Sequence, residues 1–234
     1  MRTAVKPRTF SSQINGIAYY RHLLTNRPHP LVNLDALAAI IPFHRGQEIC
    51  SQGRPVEYWY LVISGAARQC ALRPDGRRQI VDLLLPGDFF GFASGEEWDS
   101  TVEAVAEGTV VAGYPRRQIE TLADSDPKIA RELRQIAFAA LSRLQTQLLI
   151  LGRITALEKV SSFILEMAVR LHDNDNNRVA LPVSRYDIAD YLAIAVETVS
   201  RSLTILRSKQ WITFFDTRHF RIVNRKALEA HCCR

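Results

Sequence analysis

From about Pro42 to Pro115 apolar residues come in short runs, such as "YWYLVISG", "QIVDLLLPGDFFGF" and "STVEAVAEGTVVAGY", and each run meets a turn signal. Gly46, Gly53, Gly65, Pro74-Asp75-Gly76 and Pro86-Gly87-Asp88 recur roughly every 7 to 12 residues, the spacing of antiparallel strands joined by tight turns. One closed β-domain, a barrel or a sandwich, is expected there.

The pattern then changes, and no glycine falls between Gly113 and Gly152. Ile129, Leu133, Ile136, Ala140, Leu144, Leu148 and Leu151 follow one another three or four residues apart, which predicts one apolar stripe along a helix of several turns. Asp126-Pro127 marks its start, since proline suits a first helical turn. A stripe this long outruns one face of a small β-domain. It is expected to form a seam with the same helix of a second copy, and Ala137, Ala139 and Ala140 allow close approach. Packing on its own domain is the alternative.

A second helix ends at the polar run "HDNDNN", His172 to Asn177. Beyond it the pattern predicts helix, tight turn, helix, and a hairpin around Asp216-Thr217-Arg218. Ser184 with Asp187 is capping-box-like, and Ile188, Ala189 and Leu192 form that helix's buried side. "AIA", Ala193 to Ala195, has room only for a sharp turn, so the pair has helix-turn-helix spacing, with Ala189 small at the crossing and Val199 in the shared core. Such a turn favours glycine. A left-handed Ala193 would cost up to roughly 1 to 2 kcal/mol.

With Glu197 at zero and about 100° per residue, Val196, Val199, Leu203 and Leu206 gather on one side of the second helix. Ser200 and Arg201 fall beside Glu197, away from that arc. Two readings stand. One is a solvated face with an i,i+4 Glu-Arg pair worth about 0.2 to 0.5 kcal/mol. The other is a major-groove reading head, where Arg bonds guanine, Glu accepts from a cytosine amino group and Ser meets either kind of base. Arg185, Thr198, Arg207, Lys209, Arg218, His219 and Arg221 would then support that face or neutralise phosphates.

Charge favours the second reading. Residues 1–34 carry five Arg or Lys and no acid, residues 35–200 carry 17 basic and 22 acidic residues, and residues 201–234 carry eight basic and two acidic ones. A basic end on a near-neutral body suits a polyanionic partner. With 234 residues, 47% hydrophobic and 23% charged, the chain has material for two modest globular domains. No apolar run approaches the roughly 18 residues that span a bilayer. The N-terminus lacks the apolar core of a secretory signal. Cys50, Cys70, Cys232 and Cys233 show no metal-ligand spacing, so free thiols in a reducing cytoplasm are expected. No nucleophile and base at motif spacing and no phosphate loop argue for an enzyme. The expected division is a basic arm and helix over 1–34, a β-domain over 35–124, the long helix over 125–152 and a winged helix over 153–234.

The stretch "SRYDIADYLAIAVETVSRSL", together with "LVISGAARQ" and "LLLPGDFFGF", resembles regulators of the CRP/FNR superfamily along nearly the whole chain. Only the glycine of the helix-turn-helix pattern is lost, Ala193 standing in its place. The resemblance implies an α+β fold: a cyclic-nucleotide-binding-type β-roll, a long dimerisation helix and a C-terminal winged helix. It also implies a homodimer reading a TTGA-N6-TCAA-like palindrome through Glu197, Ser200 and Arg201, with Arg201 on the guanine, and acting through RNA polymerase. The loop Arg73 to Arg78 is one candidate surface for that contact. Cyclic-AMP binders carry Gly-Glu-Leu and an Arg-Ser pair in the stretch that here reads "GFASGEEWDSTVEAV", with Phe92 in place of the glutamate and Asp99-Ser100-Thr101 near the arginine's place. Added carboxylates would repel a cyclic phosphate. The cluster-binding FNR branch needs a group of N-terminal cysteines, and none precedes Cys50. The FixK type lacks both sensors, so no cofactor and no metal are expected, and its targets are genes for low-oxygen respiration and nitrogen fixation. The alternatives are a ligand-gated sensor with His22, His29 or His44 holding haem, and thiol control through an exposed His231-Cys232-Cys233 end, Cys50 and Cys70 being read as core.

Overall fold

The computed structural model describes residues 14–26, 29–72, 76, 78–92, 95–171 and 178–232. The basic arm before residue 14, the turn 73–75, the polar run 172–177 and Cys233 lie outside the described residues.

The punctuated stretch folds into eight strands: β1 (Ala39–Phe43), β2 (Glu48–Cys50), β3 (Tyr58–Ser64), β4 (Ala67–Leu72), β5 (Arg78–Leu84), β6 (Phe89–Phe90), β7 (Thr101–Ala104) and β8 (Thr109–Pro115). They pair antiparallel in two four-stranded sheets, ordered β1-β8-β3-β6 and β2-β7-β4-β5. The chain passes from one sheet to the other at Gly65, whose φ is +75°, and a Cβ there would sit 2.5 Å from Thr109 Oγ1. Only glycine accommodates both the left-handed backbone and that approach. The roll's aromatic interior includes Tyr60 stacked on Phe90 at 5.1 Å, with Trp98 beside both. Helix α1 (Ile14–Asn26) and a 3-10 turn (Val32–Leu37) close the first sheet, Leu24 and Leu31 packing with Trp59, Leu61 and Tyr114.

A short helix, α2 (Arg116–Ser125), follows β8, and α3 (Pro127–Leu151) then runs for 25 residues. Asp126 caps α3, accepting from the Lys128 amide at 2.8 Å, and Pro127 occupies the first turn. The expected stripe divides between two faces. Ile129, Leu133 and Ile136 pack into the roll's own core with Trp59, Phe89 and Ile119. Ala140 and Leu151 are half-buried, while Leu144 and Leu148 face outward with Phe138, Leu141 and Leu149, Phe138 and Leu148 being 64% and 70% exposed. The reason is rotational: each four-residue step advances about 40° round a helix, so Ile136 to Ala140 to Leu144 to Leu148 walks from the covered face to the open one.

Helix α4 (Ala156–Arg170) opens on a Thr155/Glu158 capping box. After it come β9 (Val179–Ala180), α5 (Arg185–Leu192), α6 (Val196–Ser208), β10 (Ile212–Phe214), β11 (His219–Ile222) and α7 (Arg225–Cys232). The strands form a three-stranded sheet ordered β10-β11-β9, the wing. One apolar core runs from Cys70, Ile80 and Leu83 of the roll through Phe163 and Met167 of α4 to Ile188, Val199, Leu206 and Leu228. Cys50 and Cys70 are core residues as expected. Cys232, expected to be exposed, is instead buried at the inner end of α7, because the terminal helix packs back on α4.

Candidate nucleic-acid interface

The helix pair is built by local chemistry. Ser184 Oγ accepts from the Asp187 amide while Asp187 Oδ2 accepts from the Ser184 amide at 2.9 Å and from its hydroxyl at 2.6 Å, closing both halves of the capping box. Burial works to raise the Asp187 carboxyl, but the Ser184 hydroxyl and amide and the Arg68 guanidinium outweigh it and hold it below the usual carboxylate range. The turn is left-handed at Ala193, φ 52° and ψ 48°, a conformation that favours glycine and that alanine adopts here at a cost. Val199, Leu203 and Leu206 face the core, with Ala189 and Leu192 of α5 opposite them.

Glu197, Ser200 and Arg201 come together on the other side of α6. With Arg185, Tyr186 and Val196 they line an open hollow of about 470 Å³. Arg185 Nη1 donates to Ser200 Oγ at 3.2 Å, tying the start of α5 to the outward side of α6. Arg201 Nε reaches the Glu197 carbonyl oxygen at 3.5 Å, a contact at the limit of a hydrogen bond. Tyr186, 71% exposed beside the trio, was not singled out from the sequence. An exposed tyrosine next to an Arg carries no pattern of its own along the chain.

The supporting residues spread over a wider surface. Thr198 is half-buried at the edge of α6, and Arg207 is exposed in its last turn. Lys209 Nζ lies 4.9 Å from the centre of the Trp211 ring. In the hairpin turn, Asp216 Oδ1 accepts from the Arg218 and His219 amides at 2.7 and 2.8 Å, and the His219 ring lies 2.7 Å from Oδ2. The Arg218 side chain stays exposed. Arg221 lies over Phe215 at 5.8 Å together with Arg178 at 4.1 Å, a residue that no motif marks in the sequence. Arg178 precedes β9 on the wing's outer edge, and only the β9-β11 pairing brings it to Phe215.

The effector position of the roll has different chemistry. Ser100 is buried, accepts from Gln69 Nε2 at 2.7 Å and donates to Asp99 Oδ1 at 2.9 Å. Phe92 packs on Trp59 with ring centres 5.3 Å apart. The segment from Gly91 to Val105 holds Glu96, Glu97, Asp99 and Glu103 and neither Lys nor Arg, while from outside it Arg116 Nη1 donates to the Gly95 carbonyl oxygen at 3.0 Å and Arg68 pairs with Glu103 at 2.7 Å. Among the histidines, His29 Nε2 lies 3.2 Å from Asp35, which also accepts from the Tyr114 hydroxyl at 2.8 Å. His44 pairs with Glu107 at 2.8 Å on the surface, and His22 is exposed on α1. Among the described residues no group of three or more His, Cys, Asp or Glu side chains could hold a metal ion. Burial pushes the Cys70 thiol up to about 11 and raises Cys50 further, so both are poor nucleophiles.

A β-roll joined through a long helix to a winged helix, with an open face bearing Arg185 and Arg201 on its helix-turn-helix, defines a DNA-binding transcription regulator. Known proteins agree. Residues 40–126 match the cyclic nucleotide-binding domain and residues 158–231 the Crp-like helix-turn-helix domain. The nitrogen fixation regulation protein FixK of Azorhizobium caulinodans is 41% identical over 196 residues, covering 82% of this chain and 79% of that one. FixK of Rhizobium meliloti is 36% identical over 193 residues, 82% of this chain and 87% of its own. The structure of FixK2 from Bradyrhizobium japonicum superimposes with a TM-score of 0.77 at 38% identity, covering 82% of this chain and 96% of the other. The chain belongs to the CRP/FNR family and is a DNA-binding regulator of the FixK and FNR type rather than an enzyme. Among the described residues no helix is long and apolar enough to cross a membrane.

Proposed function

We propose that this protein is a homodimeric transcription activator that reads a TTGA-N6-TCAA-like palindrome without needing a cyclic nucleotide. It acts in the cytoplasm through RNA polymerase, on genes of low-oxygen respiration or nitrogen fixation. The observation that carries the reading is the open face of α6, where Glu197, Ser200 and Arg201 share one hollow with Arg185. Arg201 serves as donor to guanine O6 and N7, Glu197 as acceptor for a cytosine amino group, and Ser200 as a contact to either kind of base. Arg185, Arg207, Lys209, Arg218, His219 and Arg221 take phosphates.

Dimerisation is supported by Phe138, Leu141, Leu144, Leu148 and Leu149, an apolar strip left open along α3. Effector independence is supported by the segment Gly91 to Val105, which carries four carboxylates and no Lys or Arg of its own, and by Arg68, whose guanidinium is already taken by Glu103 and Asp187. The gene class rests on relatives named as nitrogen fixation regulators. The test is selection of bound sequences from a random duplex library by the purified protein without added ligand. Recovery of a TTGA palindrome is the expected result. Recovery only in the presence of a cyclic nucleotide would sink effector independence, and recovery of unrelated sequences would sink the reading head.

A further inference from the structure

Helix α5 is docked on the roll by charged side chains from four elements. Arg68 of β4 donates through Nη1 to Asp187 Oδ1, and through Nε and Nη2 to Glu103 Oε2 of β7 at 3.0 and 2.7 Å. Arg78 of β5 donates to Asp190 Oδ2 at 2.9 Å and lies 3.7 and 3.8 Å from Glu103 and Asp187. Beside it, the Gln79 amide donates to the Asp190 carbonyl oxygen. The cluster is covered at its inner end, the Asp187 and Arg68 side chains being 5% and 17% exposed, and reaches the rim at Arg78 and Asp190, which are about a third exposed.

Adhesion alone does not call for this arrangement. The roll and the winged helix already share one apolar core through Cys70, Ile80, Leu83, Ile188 and Leu192. An apolar contact holds two bodies together but lets them slide, whereas forked guanidinium-carboxylate bonds have direction. A buried ion cluster adds little net stability over an apolar one, and its best-attested use is to select one arrangement among several. Here the two anchors on α5, Asp187 and Asp190, are three residues apart, so the helix is held at two points nearly a turn apart and cannot pivot about either. About 100° per residue puts Arg185 some 160° round α5 from Asp187, so the gripped side is opposite the side that meets Ser200. Helix α6 packs on α5 through Ala189, Leu192 and Val199 and inherits its orientation.

We infer that Arg68 and Arg78, aligned by Glu103, are positioning residues that fix α6 relative to the roll, and so set the half-site spacing that a dimer of this chain accepts. The inference rests on the palindrome reading above. Its test uses the full chain, wild type and Arg68→Met/Arg78→Met, on TTGA palindromes with spacers of five, six and seven base pairs and on a duplex with one half-site. The wild type prefers six. In the double variant that preference falls about tenfold while half-site binding is unchanged. A charge exchange, Arg78→Asp with Asp190→Arg, restores the spacing preference that Arg78→Asp alone loses. It decides the matter should the Met variant fail to fold. An unchanged spacing preference, an equal loss on half-site and palindrome, or no rescue by the exchange overturns the inference and leaves the palindrome reading standing. A wild-type protein without any palindrome preference overturns that reading, and the inference with it.

Discussion

Arginines where α3 and α4 meet the roll live in surroundings opposite to those on the open side of α5 and α6. Arg143 of α3 faces Asp82 and Asp88 at 3.1 and 3.5 Å, and Arg170 of α4 binds Asp88 and the Leu83 carbonyl at 2.6 Å and Glu166 at 3.1 Å. All are mostly covered. Arg185 and Arg201, by contrast, meet a hydroxyl and a main-chain carbonyl oxygen among the described residues, and both side chains are exposed. The same side chain builds the first region and is kept available in the second. The difference lies in whether the fold supplies carboxylates to the guanidinium or leaves it open.

The largest test of that contrast is Arg170→Ala. Removing the guanidinium leaves Asp88 and Glu166 covered and without that partner, so a loss of about 3 to 5 kcal/mol in unfolding free energy is expected from urea denaturation. Arg201→Ala has the opposite profile: stability within about 0.5 kcal/mol of wild type, and a cost of about 1 to 3 kcal/mol in binding, confined to one base pair of each half-site. Competition binding against single-base variants checks it, and equal binding to cognate and scrambled duplexes would remove Arg201 from the reading head. Arg218→Ala tests the phosphate side. Affinity weakens alike on all sequences, and the slope of log affinity against log salt shrinks by about 1 per half-site.

Acid titration gives the smallest effect. Hydrogen bonds from the Arg218 and His219 amides, then the His219 ring, hold the Asp216 carboxyl down to about 2. Its folded value lies below its unfolded one. Its contribution to the wing turn is therefore complete above about pH 4 and is lost as pH falls towards 2. NMR of the Arg218 and His219 amides should show no movement between pH 5 and about 3.5, where an unpaired aspartate already titrates. A midpoint near 4 would mean that the turn does not hold this carboxylate.

The helix pair was legible because its signals are local. The Ser184/Asp187 box, the small Ala189 and the apolar arc of α6 each lie within a few residues, and Ala193 was flagged by the glycine it replaces. The α3 stripe was harder. Apolar residues lie on both the covered and the open side of that helix, so a count of three- and four-residue steps passes from one to the other without a signal. Arg178 carries no local signal, because its partner Phe215 is 37 positions away and reaches it through sheet pairing. Cys232 looked terminal and hence exposed, but exposure depends on where the last helix docks.

The sequence by itself determined where strands, helices and turns fall, and which side of α6 carries Glu197, Ser200 and Arg201. Those properties follow from capping, glycine conformations and helical period, all settled within one or two turns of chain. Only the tertiary structure decided which face of α3 the roll covers and that Arg68 meets Asp187, 119 residues away. It also decided that Cys232 is inside. Periodicity says that a face is apolar or a residue charged. What covers the face or pairs with the charge depends on distant chain, and that is settled only when the roll and the winged helix pack together.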